Sequence, residues 1–144
     1  MWFSYERVVL LGDTDAAGVM YFTQLLSICH EAYEHSLLAV GVNLYQYYRH
    51  PQWALPVVHA RADYKKPLFA GDHLRVQLLA EGVCPTAVQF AIHYDLWCCN
   101  ALVATATTRH VCIDVQTRRR RPLPEELGPW LALGTKMGGT PPHP

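Results

Sequence analysis

The sequence lacks any apolar run approaching 18 residues, so no transmembrane helix is expected. It also lacks an excess of either charge. Twelve Lys+Arg stand against twelve Asp+Glu, for a formal net charge of zero, which gives no broad nucleic-acid or membrane footprint. No C-x-x-C pair occurs among the five cysteines, Cys29, Cys84, Cys98, Cys99 and Cys112, and their number is odd. Free, mostly buried thiols in a reducing cytoplasm are therefore expected. Cys98 and Cys99 are neighbours and would point to opposite faces if both lay on a strand. The N-terminus, Met1 to Arg7, has no basic stretch followed by an apolar run, so no signal peptide is expected. There is no G-x-S-x-G elbow, P-loop or dinucleotide fingerprint. His30 and His35 lie five residues apart, which rotates the second about 140° around a helix and prevents a shared metal face. No metal and no cofactor is expected.

What is present suits one domain. The chain has 144 residues, 51% of them hydrophobic, enough for a core without staples. Residues 2–11 are aromatic and β-branched and predict a strand ending at Gly12-Asp13. Residues 12–22 read as a loop. Leu25, Ile28, Cys29, Ala32, Tyr33 and Leu37 recur at helical spacing and predict a long helix over about 23–40. Thr23 is its expected N-cap, Gly41 its stop, and Asn43 the cap of a further short turn. Period-two alternation then predicts strands over 55–64, 72–82, 86–97 and 101–113. One helix and about five strands bury each other if an antiparallel sheet wraps around the helix, an α+β arrangement. The Pro- and Gly-rich segment 123–144 is expected to be a mobile tail outside a domain of residues 1–122.

The segment Gly12-Asp13-Thr14-Asp15-Ala16-Ala17-Gly18-Val19-Met20-Tyr21-Phe22 carries the chemistry. On local chemistry alone, Asp13 and Asp15 read as turn formers. As a whole the segment resembles the signature of the 4-hydroxybenzoyl-CoA thioesterase class of hotdog-fold enzymes. His30-Glu31-Ala32 and Asp63-Tyr64-Lys65-Lys66-Pro67 extend the likeness, which covers about residues 3–115. Within the class, the Asp-Thr-Asp-Ala-Ala-Gly-Val-Met-Tyr-Phe run is most similar to the cyanobacterial 1,4-dihydroxy-2-naphthoyl-CoA hydrolases of phylloquinone biosynthesis.

The resemblance implies an α+β hotdog fold and hydrolysis of an aromatic acyl-CoA. It assigns the catalytic carboxylate to Asp15, as nucleophile or as general base. It gives the oxyanion donor to the Phe22 backbone N–H. Gly18 would admit the acyl group closely, and Asp13 would tie the loop together. Met20, Tyr21, Glu31 and His59 are candidates for the acyl pocket or its rim, each with a plain packing or surface role as the alternative. Lys65 and Lys66 read either as a solvated turn or as contacts to coenzyme A phosphates, and Arg118–Arg121 as a second phosphate candidate. Trp2, Phe3, Tyr21 and Trp53 are compatible with an aromatic acyl group. The class implies a homo-oligomer, a dimer of dimers, with sites between subunits. A broader acyl-CoA or acyl-carrier-protein thioesterase, or a non-catalytic acyl-binding module, would share the scaffold.

Overall fold

The alternating segments form one antiparallel sheet against one long helix. The computed structural model describes residues 3–84 and 86–133. Its strands are β1 (Phe3–Val8), β2 (Trp53–Ala54), β3 (Val57–Tyr64), β4 (His73–Glu81), β5 (Gln89–Cys98), β6 (Ala101–Val111) and β7 (Ile113–Asp114). Its helices are α1 (Gln24–Ala39), α2 (Leu44–Tyr47) and α3 (Gly128–Leu131). The main sheet runs β1-β4-β5-β6-β3, and β2 pairs with β7 as a small annex. The first expected strand stops at Val8 because a 3-10 turn over Leu11–Asp13 intervenes. The expected strand 55–64 begins at Val57, and the segment before it makes the annex instead.

One sheet face is the core. Leu74, Val76 and Leu78 on β4 and Phe90, Ile92, Tyr94 and Leu96 on β5 are buried, as their alternation requires. They meet the α1 stripe of Leu25, Ile28, Cys29, Ala32, Tyr33 and Leu37. Each large side chain so buried contributes about 1.5–3 kcal/mol. The helix ends as expected at Gly41, with φ +86°. The Gly41 N–H donates to the Leu38 carbonyl at 3.0 Å and the Val42 N–H to the Leu37 carbonyl at 3.1 Å, which is a Schellman closure. Asn43 caps α2 by accepting from the Gln46 N–H. Thr23 does not cap α1: its own backbone is already helical, and its side chain makes no capping bond.

Two further expectations need correction. The domain does not end at residue 122. Leu123, Leu127 and Trp130 are buried, and the Trp130 indole N–H donates to Ser36 Oγ at 2.8 Å on the inner face of α1. Pro124 and Gly128-Pro129 shape the short turns that deliver these side chains rather than loosening the chain. Residues 134–144, the rest of the expected tail, lie outside the described residues. Nor do Cys98 and Cys99 point apart. Only Cys98 is on a strand. Cys99 and Asn100 form the two-residue turn between β5 and β6, with φ of +50° and +62°, and the two sulfurs lie 3.9 Å apart.

Candidate active site

The loop between β1 and α1 is built on Asp13. Its carboxylate is buried and accepts from Arg7 Nη1 at 2.6 Å and Nη2 at 3.1 Å, from the Leu10 N–H at 2.8 Å, and from Gln24 Nε2 at 2.9 Å. A strand, a loop and the first residue of α1 thus converge on one charge. The Arg7 guanidinium holds the Asp13 carboxyl below its ordinary value, with the Leu10 N–H and Gln24 adding to the effect. Arg7 continues to Glu31 on α1, its Nε 2.8 Å from the carboxylate, which also accepts from the Tyr5 hydroxyl at 2.6 Å. Burial and the Glu31 carboxylate push the Tyr5 phenol up to about 12.

Beyond Asp13 the chain makes a small hairpin, bridged at Thr14 and Met20. The Asp15 N–H donates to the Val19 carbonyl, and the Gly18 N–H to the Asp15 carbonyl, both at 3.0 Å. Gly18 has φ +81°, a conformation that suits glycine at the turn's last corner. The Asp15 carboxylate is exposed and takes the Ala17 N–H on Oδ1 at 2.8 Å. The Met20 N–H donates to the Leu68 carbonyl at 2.8 Å and the Tyr21 N–H to the Asp13 carbonyl at 2.9 Å. The next N–H, that of Phe22, has no hydrogen-bond partner among the described residues. The Tyr64 hydroxyl donates to the Phe22 carbonyl, fixing the residue that carries this donor.

A cavity of about 310 Å³ opens beside the hairpin. Leu25, Leu68 and Ala104 contribute an apolar lining, with Val19 and Met20 from the hairpin and Tyr64, Lys65 and Lys66 from the end of β3. The N–H groups of Lys65 and Lys66 both bond the Val103 carbonyl, which anchors this end of β3 to β6.

Of the expected site residues, Met20, Lys65 and Lys66 meet at the cavity, and Asp15 and Gly18 stand on the turn that supplies its wall. Tyr21 is exposed, edge-on to Phe22 at 5.0 Å between ring centroids. Glu31 is engaged with Tyr5 and Arg7 and is not part of the cavity lining. His59 lies on the exposed edge strand β3, beside a register shift between Val57 and His59. Trp53 is buried against Tyr47, apart from the cavity lining. The Arg118–Arg121 run follows β7, beyond the opposite end of β6 from Ala104.

Two residues of this assembly escaped the sequence reading. Tyr64 stands in the sequence only as part of the Asp63-Tyr64-Lys65-Lys66-Pro67 connection. Arg7 shares the helix-facing side of β1 with Phe3 and Tyr5, and a charge at such a position signals a buried acidic partner.

The profile of the thioesterase-like superfamily matches residues 9–131. The chain belongs to that superfamily. It is 45% identical over 131 residues to the 1,4-dihydroxy-2-naphthoyl-CoA hydrolase of Nostoc punctiforme, covering 91% of this chain and 87% of that protein. It is 46% identical over 132 residues to the enzyme of the same name from Synechococcus elongatus, covering 91% and 96%. The crystal structure of a 1,4-dihydroxy-2-naphthoyl-CoA thioesterase from Synechocystis matches with a TM-score of 0.83 at 38% identity, over 96% of this chain and 98% of that one. The hotdog arrangement is thus shared with this superfamily member, and the matched span takes in Trp130 as well as Asp15. Among the described residues no helix is long and apolar enough to cross a membrane.

Proposed function

We propose that this chain hydrolyses 1,4-dihydroxy-2-naphthoyl-CoA to the free acid and coenzyme A, with Asp15 as the catalytic carboxylate. The reading rests on its relatives' activity and on one structural observation. The loop anchored by Asp13 carries the exposed Asp15 carboxylate and a Phe22 N–H with no partner among the described residues, and its Val19 and Met20 line part of an apolar cavity. A thioester carbonyl beside Phe22 would find a donor where its oxygen becomes negative. Asp15, whose Oδ2 has no hydrogen-bond partner among the described residues, would attack the carbonyl carbon or take a proton from water. The apolar lining suits a fused aromatic ring, and Lys65 and Lys66 at the rim would meet the anionic part of coenzyme A. The product would feed phylloquinone biosynthesis.

An open edge supports a homo-oligomer. Strand β3 bonds only β6 among the described strands, and Val57, Val58, His59 and Tyr64 are exposed on it. Two copies joined antiparallel through β3 would bury that edge. The Val57–His59 end of one subunit would then lie beside the Tyr64–Lys66 end of the other, and the pocket would be completed across the interface. We extend this to a dimer of dimers, as the family resemblance implies.

The test is release of free coenzyme A from a thioester panel. The naphthoyl substrate should exceed long-chain acyl-CoA in kcat/KM, and Asp15→Asn should lose about 10²–10⁴-fold in kcat while remaining folded. Comparable turnover of long acyl chains would overturn the substrate; undiminished hydrolysis by Asp15→Asn would overturn the carboxylate.

A further inference from the structure

The β5–β6 turn holds a feature that the thioesterase reading does not use. Cys98 closes β5 with its side chain on the buried face, whereas Cys99 is exposed in the turn. The Cys98 thiol donates to the Cys99 sulfur at 3.9 Å. Cys99 adopts this position with φ +50°, followed by Asn100 at +62°. Turns of this kind favour Asn-Gly, and a cysteine in the left-handed region is strained. Without that conformation the two side chains would alternate across the sheet. Beside Cys99 a hollow of about 440 Å³ is lined by Trp97, His73 and Arg75.

We infer that Cys98 and Cys99 form a dithiol clamp for a trivalent aryl arsenical, the metalloid bridging both sulfurs and the aryl group resting in the hollow beside Trp97. The chemistry balances without an oxidant. An arsenic(III) oxide exchanges its oxide for two thiolates, forming two As–S bonds, and the oxide leaves as water with both thiol protons. The second bond is intramolecular, so the chelate should hold about 10²–10⁴-fold more tightly than a single thiol.

The probe is phenylarsine oxide on the full chain, in a Cys84→Ser background that removes the exposed lone thiol. Intact-mass spectrometry should find one phenylarsenic group per chain. It should survive excess glutathione, a monothiol, and be stripped by 2,3-dimercaptopropanol. Cys98→Ser and Cys99→Ser should each lose the resistance to glutathione by about 10²-fold or more. Should buried Cys98→Ser fail to fold, Cys99→Ser decides alone, since its side chain is exposed. Retention of the adduct by folded Cys99→Ser, or its loss from the parent under glutathione, would overturn the clamp.

Discussion

Arg7 grips Asp13 through both terminal guanidinium nitrogens while its third nitrogen reaches Glu31. The two aspartates of the loop therefore differ in kind. Asp13 is buried and takes four donors; Asp15, two residues on, is exposed and holds one among the described residues.

Asp13→Asn should therefore cost about 2–3 kcal/mol of stability at neutral pH, because charged hydrogen bonds are lost in a buried place. Asp15→Asn should stay within about 0.5 kcal/mol. Urea midpoints at matched m-values measure both. The Asp13 carboxyl is held below its ordinary value, so its contribution is complete above about pH 3.9 and fades as pH falls through the lower folded value. The gap between parent and Asp13→Asn should accordingly close only in strong acid; a gap that closes near pH 6 contradicts the assignment.

His110 should supply a separate acid sensitivity. Its ring stacks on Phe90 at 4.8 Å, and Nε2 lies 2.9 Å from Thr108 Oγ1. Burial, helped by His30, pushes the imidazole down from 6.5 to about 4. The unfolded chain takes up a proton first, so stability should fall as pH drops from about 6.5 towards 4. His110→Gln should flatten this, with a difference of about 2 kcal/mol between pH 7 and pH 5. Parallel pH profiles for the two proteins would refute it.

Trp130 should behave as a core residue. Trp130→Ala is expected to cost about 3–5 kcal/mol, read from chemical denaturation, and a chain ended at residue 122 should lose the cooperative transition. An unchanged midpoint in either would argue that the segment after 122 is dispensable.

On the proposed reading Tyr64, which lines the cavity, would act as a positioning residue through its bond to the Phe22 carbonyl. Tyr64→Phe should lower kcat about tenfold with little change in KM or stability. A loss confined to KM would assign Tyr64 to binding instead.

Much of this was legible in the residues. Period-two alternation located β4 and β5, because a strand buried on one face must alternate. The 3–4 spacing located α1, and Gly41 marked its end. The loop over residues 12–22 was legible because Asp and Gly are turn residues. Other features depend on partners distant in sequence. Thr23 reads as a cap, but its own backbone is helical and its side chain makes no capping bond. Trp130 reads as part of a tail because Pro and Gly surround it, whereas Ser36 and Tyr33 on α1 and Phe90 on β5 hold it in the core. Arg7 needed Asp13 and Glu31 together, which no local pattern joins. Tyr64 needed Phe22, brought near only when β3 takes its place in the sheet.

The strand order also separates early from late assembly. In the centre, β4–β5 and β5–β6 are hairpins of neighbouring segments, whereas β1 and β3 reach their partners across long stretches of chain. Short loops close at lower entropic cost, so the central meander should gain hydrogen-exchange protection first in pulse labelling. The hairpin wall and the β3 rim of the cavity would then be among the last parts to form, giving a chain that collapses before it can act.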